Sequence, residues 1–344
     1  MFRKKVASLF FLATLIILFF IGLTLWTFRG DIFNRALLLV PLFILLWINF
    51  KTNRYLSRTL NFKYSYLVPL IVLFSINVVV IVYDVALSYS NYHLKQKSYT
   101  DINSCSKVWS ARGLALRDSQ ITPDDNQNSI ESIQRAFSNG AVGAEVDVFY
   151  DAALDQYIVS HDRNPYHLKN AKLLTLNELF TATGKSGYFW LDFKKLRHLN
   201  SIQLKNAVAR LDVISQRYNL SQRIFVEGAA PFNLKAFQKA GFKTIFDTHP
   251  TVDSNILTPF VANAYKMVYF FGDFSVISMN YSDEYSVPIY GQKMREILGN
   301  IPTFIYHLPP DKKLFKALSS IDEVQVLLPQ DQSLNMFSIT HCDE

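Results

Sequence analysis

Three acidic and two basic side chains fall where strands of this chain are expected to end. Glu145 and Asp147 stand two apart in Glu145-Val146-Asp147-Val148, so on an extended strand they project from the same face. Asp192 and Lys194 lie in Leu191-Asp192-Phe193-Lys194, and Arg112 in Ala111-Arg112-Gly113. Converging carboxylates repel one another unless a cation sits between them, and a hard divalent ion with oxygen ligands, Mg²⁺ or Ca²⁺, suits such a set. Arg112 and Lys194 at the same mouth suit a phosphoryl group bridging the metal and cationic donors. His161, in Ser160-His161-Asp162, is placed to move a proton. A purely structural reading pairs Arg112 with Glu145 and Lys194 with Asp192, and leaves His161 at the surface.

Strands and helices alternate around these residues. Strands are expected at Lys107–Arg112, Val142–Phe149, Tyr188–Lys194, Arg223–Glu227, Lys243–Asp247, Ser275–Asn280, Thr303–His307 and Glu323–Leu328. Helices are expected at Ser129–Ser138, Leu176–Thr183, Ser201–Tyr218, Phe232–Ala240, Asn255–Lys266, Tyr290–Leu298 and Lys312–Ser319. Asn128 and Ser129 suit a helix N-cap, and Gly140 and Gly241 suit the residue just past a helix. Gln156–His161 follows the second strand too closely for a crossover and reads as a hairpin extension. Eight strands alternating with helices over residues 93–344 give an α/β class and the size of a (β/α)8 TIM-type barrel. An open doubly wound sheet gives a similar string. In a barrel, functional groups stand at the C-terminal strand ends, where these residues lie.

The composition of the 344-residue chain bounds the rest. It is 50% hydrophobic and 18% charged, against about 25% charged for an ordinary soluble domain. That excludes a disordered chain, and two cysteines exclude a disulfide scaffold or a four-cysteine zinc module. The net charge of +7 arises in residues 1–100, which hold 11 Lys/Arg against 2 Asp/Glu, leaving 24 against 26 for the remainder. A basic excess confined to the flanks of apolar runs is a topology signal, not a nucleic-acid footprint. The runs at 6–28, about 34–50 and 66–88 are expected to be three transmembrane helices forming an anchor over 1–92. The first lacks an A-x-A cleavage site and exceeds a signal-peptide core, so it reads as a retained helix. Counts of three, two and four Lys/Arg before, between and after the first two runs place the N-terminus in the cytoplasm and the large domain outside it. The lipid bilayer is thus an expected partner, and an oxidising compartment would let Cys105 and Cys342 pair.

The segment from Val108 to Asp162 resembles the N-terminal half of a glycerophosphodiester phosphodiesterase domain. That family carries His-Arg-Gly on its first strand, Glu-Asn-Ser/Thr at a helix start, then Glu-x-Asp-Val and His-Asp. The corresponding segments are Ala111-Arg112-Gly113, Gln127-Asn128-Ser129, Glu145-Val146-Asp147-Val148 and His161-Asp162. Leu191-Asp192-Phe193-Lys194 is similar to the family's Ile-Glu-x-Lys, with an Asp as in the related phospholipase D toxins that act on sphingomyelin. The resemblance implies a barrel hydrolysing glycerophosphodiesters or phospholipid head groups with a divalent ion. Glu145, Asp147 and Asp192 would hold the metal, and Arg112 and Lys194 the phosphate. His161 would be one of two acid–base histidines acting with the substrate's neighbouring hydroxyl as nucleophile. The chain departs from the pattern twice, with Ala111 for the first histidine and Gln127 for the glutamate. Either the barrel binds a phosphodiester without turnover, or another histidine replaces the missing one. His307, at the end of the seventh expected barrel strand, is the better placed candidate and His249 the other.

Overall fold

Runs of Val, Ile and aromatic residues, which suit a pleated and buried surface, form nine strands among the described residues: β1 (Ser110–Ala111), β2 (Gly143–Asp151), β3 (Gln156–Val159), β4 (Tyr188–Phe193), β5 (Ile224–Gly228), β6 (Lys243–Thr248), β7 (Val276–Asn280), β8 (Thr303–Leu308) and β9 (Val324–Pro329). The computed structural model describes residues 82–96, 102, 106–114, 127–161, 173–184, 187–249, 257–281, 292–329 and 337. Eight strands pair in parallel in the order β1-β2-β4-β5-β6-β7-β8-β9. The Trp109 N–H donates to the Leu327 carbonyl at 3.0 Å, and the Leu327 N–H to the Lys107 carbonyl at 2.8 Å. These bonds join the first strand to the last and make the sheet a barrel rather than an open sheet. β3 turns back antiparallel on β2, the expected hairpin extension.

Among the described residues of the barrel, seven α-helices alternate with these strands: α1 (Ile130–Ser138), α2 (Leu176–Thr183), α3 (Ser201–Arg217), α4 (Pro231–Lys239), α5 (Leu257–Gly272), α6 (Gln292–Leu298) and α7 (Lys312–Ser319). Local chemistry fixes several starts. Ser129, Thr175 and Asn200 each close a capping box with the residue three positions on. Gly140 and Gly241 take positive φ just past α1 and α4, as expected.

The barrel interior is apolar at its floor. Trp109, Trp190, Phe225, Ile245, Val276, Phe304 and Val326 form one buried cluster, with Trp109 and Phe304 ring centroids 5.5 Å apart and edge-on, a favoured aromatic geometry. Trp109 fits because Gly143, on the neighbouring β2, has no side chain. A Cβ there would meet the indole at 2.4 Å. Gly143→Ala is therefore expected to lower stability by about 1–3 kcal/mol through overpacking, read as a fall in the urea midpoint without a change in slope.

The chain divides into two compact units, Met1–Tyr92 and His93–Glu344. Of the first, only residues 82–92 are described, and they are helical. The expected fold of a barrel preceded by three transmembrane helices needs correction. Among the described residues no helix is long and apolar enough to cross a membrane. The most apolar, α5, has 16 residues, about 24 Å at 1.5 Å per residue, short of the roughly 30 Å hydrocarbon layer. Its Val261, Ala262, Tyr265 and Tyr269 are instead buried in the domain. The runs at 6–28 and 34–50, and 66–81 of the third, lie outside the described residues, as do Cys105 and Cys342.

Candidate functional site

Strand register brings the acidic residues abreast. Asp147 on β2 pairs in register with Asp192 on β4, and Asp192 with Glu227 on β5. Glu145 stands two residues before Asp147, opposite Ala111 on β1. Because side chains alternate along a strand, Trp190 and Asp192 share a face: the indole lies in the apolar floor, and the carboxylate stands one layer above. Glu145, Asp147 and Asp192 each present a carboxylate oxygen, and these atoms all lie within 4.8 Å of one another.

Two cations close on this cluster. Arg112 Nε is 2.8 Å from Asp147 Oδ2, and Lys194 Nζ is 2.8 Å from Asp147 Oδ1 and also pairs with Asp192. The Lys194–Asp192 pair is the one read from the sequence, whereas the Arg112 pairing differs. Arg112 sends its guanidinium to Asp147, while its backbone N–H donates to Glu145 Oε2 at 3.0 Å. Asn128 does more than precede a helix cap. Its Nδ2 donates to Asp147 Oδ2 at 2.8 Å, and its Oδ1 accepts from the Asp147 backbone N–H at 3.0 Å. That twofold clasp accompanies a φ of 50° at Asn128, a left-handed conformation Asn tolerates better than most residues.

The charges are strongly coupled. Burial, then Asp147 and Asp192, push the Glu145 carboxyl well above its usual range. Burial also works against the charge on Asp147, but Lys194 and Arg112 prevail and hold its pKa below the ordinary value. Asp192 is pushed up to about 6, by burial first and by Asp147, against the pull of Lys194. Burial would lower Lys194, but Asp192 and Asp147 raise it, so it is cationic at neutral pH.

A cavity of about 700 Å³ opens above these groups, lined by Ala111, Arg112, Glu145, Asp192 and Lys194 together with Gln127, His161 and His307. His161 is exposed at its edge. His307 has φ 56° and sits in an irregularity of the β8–β9 register between Ile305 and Leu308. Such bulges re-aim a side chain next to a site, and here the result is a histidine facing cations. Partial burial, then Arg112 and Lys194, lower its pKa. His249, the other candidate, is not among the cavity residues; its Nε2 is 3.8 Å from Asp247 Oδ2.

Among the cavity groups that went unnoticed in the sequence are Glu227, Asp247 and Tyr306. Glu227 is buried, accepts from Trp190 Nε1 at 2.8 Å and from Ser278 Oγ, and is pushed well above its usual range by burial, then by Asp192 and Asp247. Asp247 is raised by burial and lies 3.4 Å from the Tyr306 hydroxyl. Glu227 and Asp247 closed their expected strands, so the strand-end signal that singled out Asp192 also marked them. Tyr306 carried no such signal.

The chain matches no family model and no curated protein. Solved structures similar to it include a glycerophosphodiester phosphodiesterase from Parabacteroides distasonis, 18% identical over 67% of this chain and 95% of that one, with a TM-score of 0.48. One from Agrobacterium tumefaciens is 13% identical over 67% and 98%, with a TM-score of 0.43. The N-(5'-phosphoribosyl)anthranilate isomerase of Pyrococcus furiosus is 10% identical over 67% and 94%, with a TM-score of 0.39.

The carboxylate cluster fits a divalent cation. Its donors are all oxygen, as Mg²⁺ and Ca²⁺ prefer, and the burial and mutual repulsion that raise Glu145 and Asp192 are what a bound cation offsets. The sign for Asp192 follows. Between its ordinary 3.8 and about 6, the folded state holds a proton that the unfolded state has released. Its contribution to stability therefore falls as pH rises through that window, by up to about 3 kcal/mol at 1.36 per unit. Chelated protein is expected to show this fall in denaturant titrations between pH 4 and 6, and added Mg²⁺ or Ca²⁺ to abolish it while releasing protons. The same slope with and without cation would remove the metal assignment.

Proposed function

We propose that the barrel is a divalent-cation-dependent phosphodiesterase acting on glycerophosphodiesters or phospholipid head groups. The observation that carries the reading is the convergence of Glu145, Asp147 and Asp192 within 4.8 Å, at a cavity that Arg112, Lys194, His161 and His307 also line. Bound there, the cation would neutralise the carboxylates and polarise a phosphoryl oxygen. Arg112 and Lys194 supply charge-assisted hydrogen bonds to the phosphate oxygens, and Asn128 holds Asp147 in place between them. His307, its pKa lowered, is neutral at neutral pH and accepts the proton of the substrate hydroxyl next to the phosphate. That oxygen attacks phosphorus, and the bond to the leaving alcohol breaks as His161 protonates the departing oxygen. Water opens the resulting cyclic diester with the two histidines in exchanged roles.

The test is release of glycerol phosphate from a glycerophosphodiester by purified protein with Mg²⁺ or Ca²⁺, and its loss on chelation. Turnover no greater than that of a His161→Ala control would overturn hydrolysis. A second reading, a barrel that binds phosphodiesters without turnover, is favoured by one observation: Ala111, which transfers no proton, lines the cavity where the family carries a histidine. On that reading turnover appears only after Ala111→His.

A further inference from the structure

Two helix starts beside the cavity present apolar side chains to water. Phe232, in the first turn of α4, is 91% exposed, and Ile202, in the first turn of α3, is 72% exposed. They belong to one platform. A 3-10 turn, Leu196–His198, links β4 to α3, and Leu196 is buried against Gly228 at the end of β5. A Cβ on Gly228 would stand 2.5 Å from Leu196 Cδ2, so the two loops interlock only because that residue is glycine. Asn233 completes the lock, donating from Nδ2 to the Leu196 carbonyl at 2.8 Å and the Leu199 carbonyl at 3.3 Å. Phe232 immediately precedes Asn233 in the chain.

The platform is also basic. Besides Lys194, which is paired with Asp147 and Asp192, residues 193–200 carry Lys195 and Arg197 and no Asp or Glu, and residues 228–240 carry Lys235 and Lys239 and no Asp or Glu. Lys195 and Arg197 are exposed and line the cavity. A large exposed aromatic and an exposed aliphatic side chain set among cations beside a cavity match the requirements of an anionic lipid surface, which takes apolar side chains into its interface and Lys and Arg at its head groups. Two isolated side chains offer far less area than the roughly 1,000 Å² that a specific protein interface needs, whereas an interface of lipid needs only anchoring points.

We infer that this rim docks the barrel mouth on an anionic phospholipid surface, with Phe232 and Ile202 entering the interface and Lys195 and Arg197 facing its head groups. The inference rests on the phosphodiesterase reading for its consequence, that the diester is drawn from a lipid surface. The docking itself does not depend on turnover. The first hundred residues contain long apolar runs, so vesicle pelleting does not isolate this face and the readout must be local. In the full-length chain, Phe232→Trp is mixed with vesicles of phosphatidylserine and phosphatidylcholine bearing brominated acyl chains. The emission of the added indole, as the difference from the parent protein, is expected to shift to the blue and be quenched. Lys195→Gln with Arg197→Gln in the same background should weaken the lipid dependence of quenching by about 25-fold, at about fivefold per cation. An added indole with water-like, unquenched emission overturns the inference, as does quenching indifferent to the loss of both cations. Phe232→Asp is expected to lower turnover of a vesicle-borne diester about tenfold and to leave a soluble glycerophosphodiester unaffected. An equal effect on both substrates overturns the surface-fed reading, and absence of turnover on the soluble diester in the parent protein overturns only the hydrolytic one.

Discussion

Asp147→Asn is expected to remove turnover by about a thousandfold or more and to destabilise the barrel by about 3–5 kcal/mol. Asp147 is fully buried and is the carboxylate against which Arg112, Lys194 and Asn128 are all set. Its amide keeps the shape and loses the charge. Arg112 and Lys194 are then two cations brought together without their shared anion, and breaking one side of a buried ion pair costs more than the pair itself contributes. The cation also loses a ligand, so stabilisation by Mg²⁺ or Ca²⁺ should weaken in parallel. Urea unfolding with and without cation, together with turnover, measures all three effects. A variant with unchanged stability and unchanged cation response would mean that Asp147 does not organise the site.

His307→Ala is expected to lower kcat by about 10²–10⁴-fold, the usual contribution of a positioned acid or base, with stability little changed. Alanine at φ 56° keeps the strain of a non-glycine residue in the left-handed region, of order 1 kcal/mol; the bulge that imposes that conformation gives the histidine its place beside Arg112 and Lys194. The lowered pKa of His307 sets the pH dependence: the neutral base form is retained below the ordinary histidine range, so the acid limb of kcat should lie below 6.5 and move up when Lys194 is neutralised. Ala111 lines the same cavity, so Ala111→His in the His307→Ala background should recover turnover. An inactive parent that becomes active on Ala111→His alone would instead support the binding-only reading, and a His307→Ala variant as active as the parent would remove His307 from the reaction.

Much of the architecture was legible one element at a time. The observed α2 and α7 coincide with their expected ranges, and β5 begins one residue after and ends one residue past its own, because apolar periodicity and caps are local signals. Where the reading drifted, a tertiary reason is visible. β1 is only Ser110–Ala111, since the preceding residues close the barrel through a single bridge at Val108 instead of a regular ladder. α5 continues to Gly272 because its second half is apolar on several faces, with Tyr265 against Phe246 of β6 and the Tyr269 hydroxyl donating to the Ser275 carbonyl, a pattern in which helical periodicity is weak.

From the sequence alone came the alternation that makes an α/β chain and the choice of Glu145, Asp147, Asp192, Arg112 and Lys194 as candidate site residues. These depend on neighbours within a few positions, and the side-chain period of two on a strand is fixed by backbone geometry. The tertiary structure alone decided that the sheet closes, that Asp147 and not Glu145 takes both cations, that Glu227 and Asp247 join the same cavity, and that His307 reaches it while His249 does not. Each of these is a distance between residues far apart in the chain. Such distances are set by strand register and by the closure of β1 on β9, and a shift of one residue would turn every one of these side chains to the opposite face.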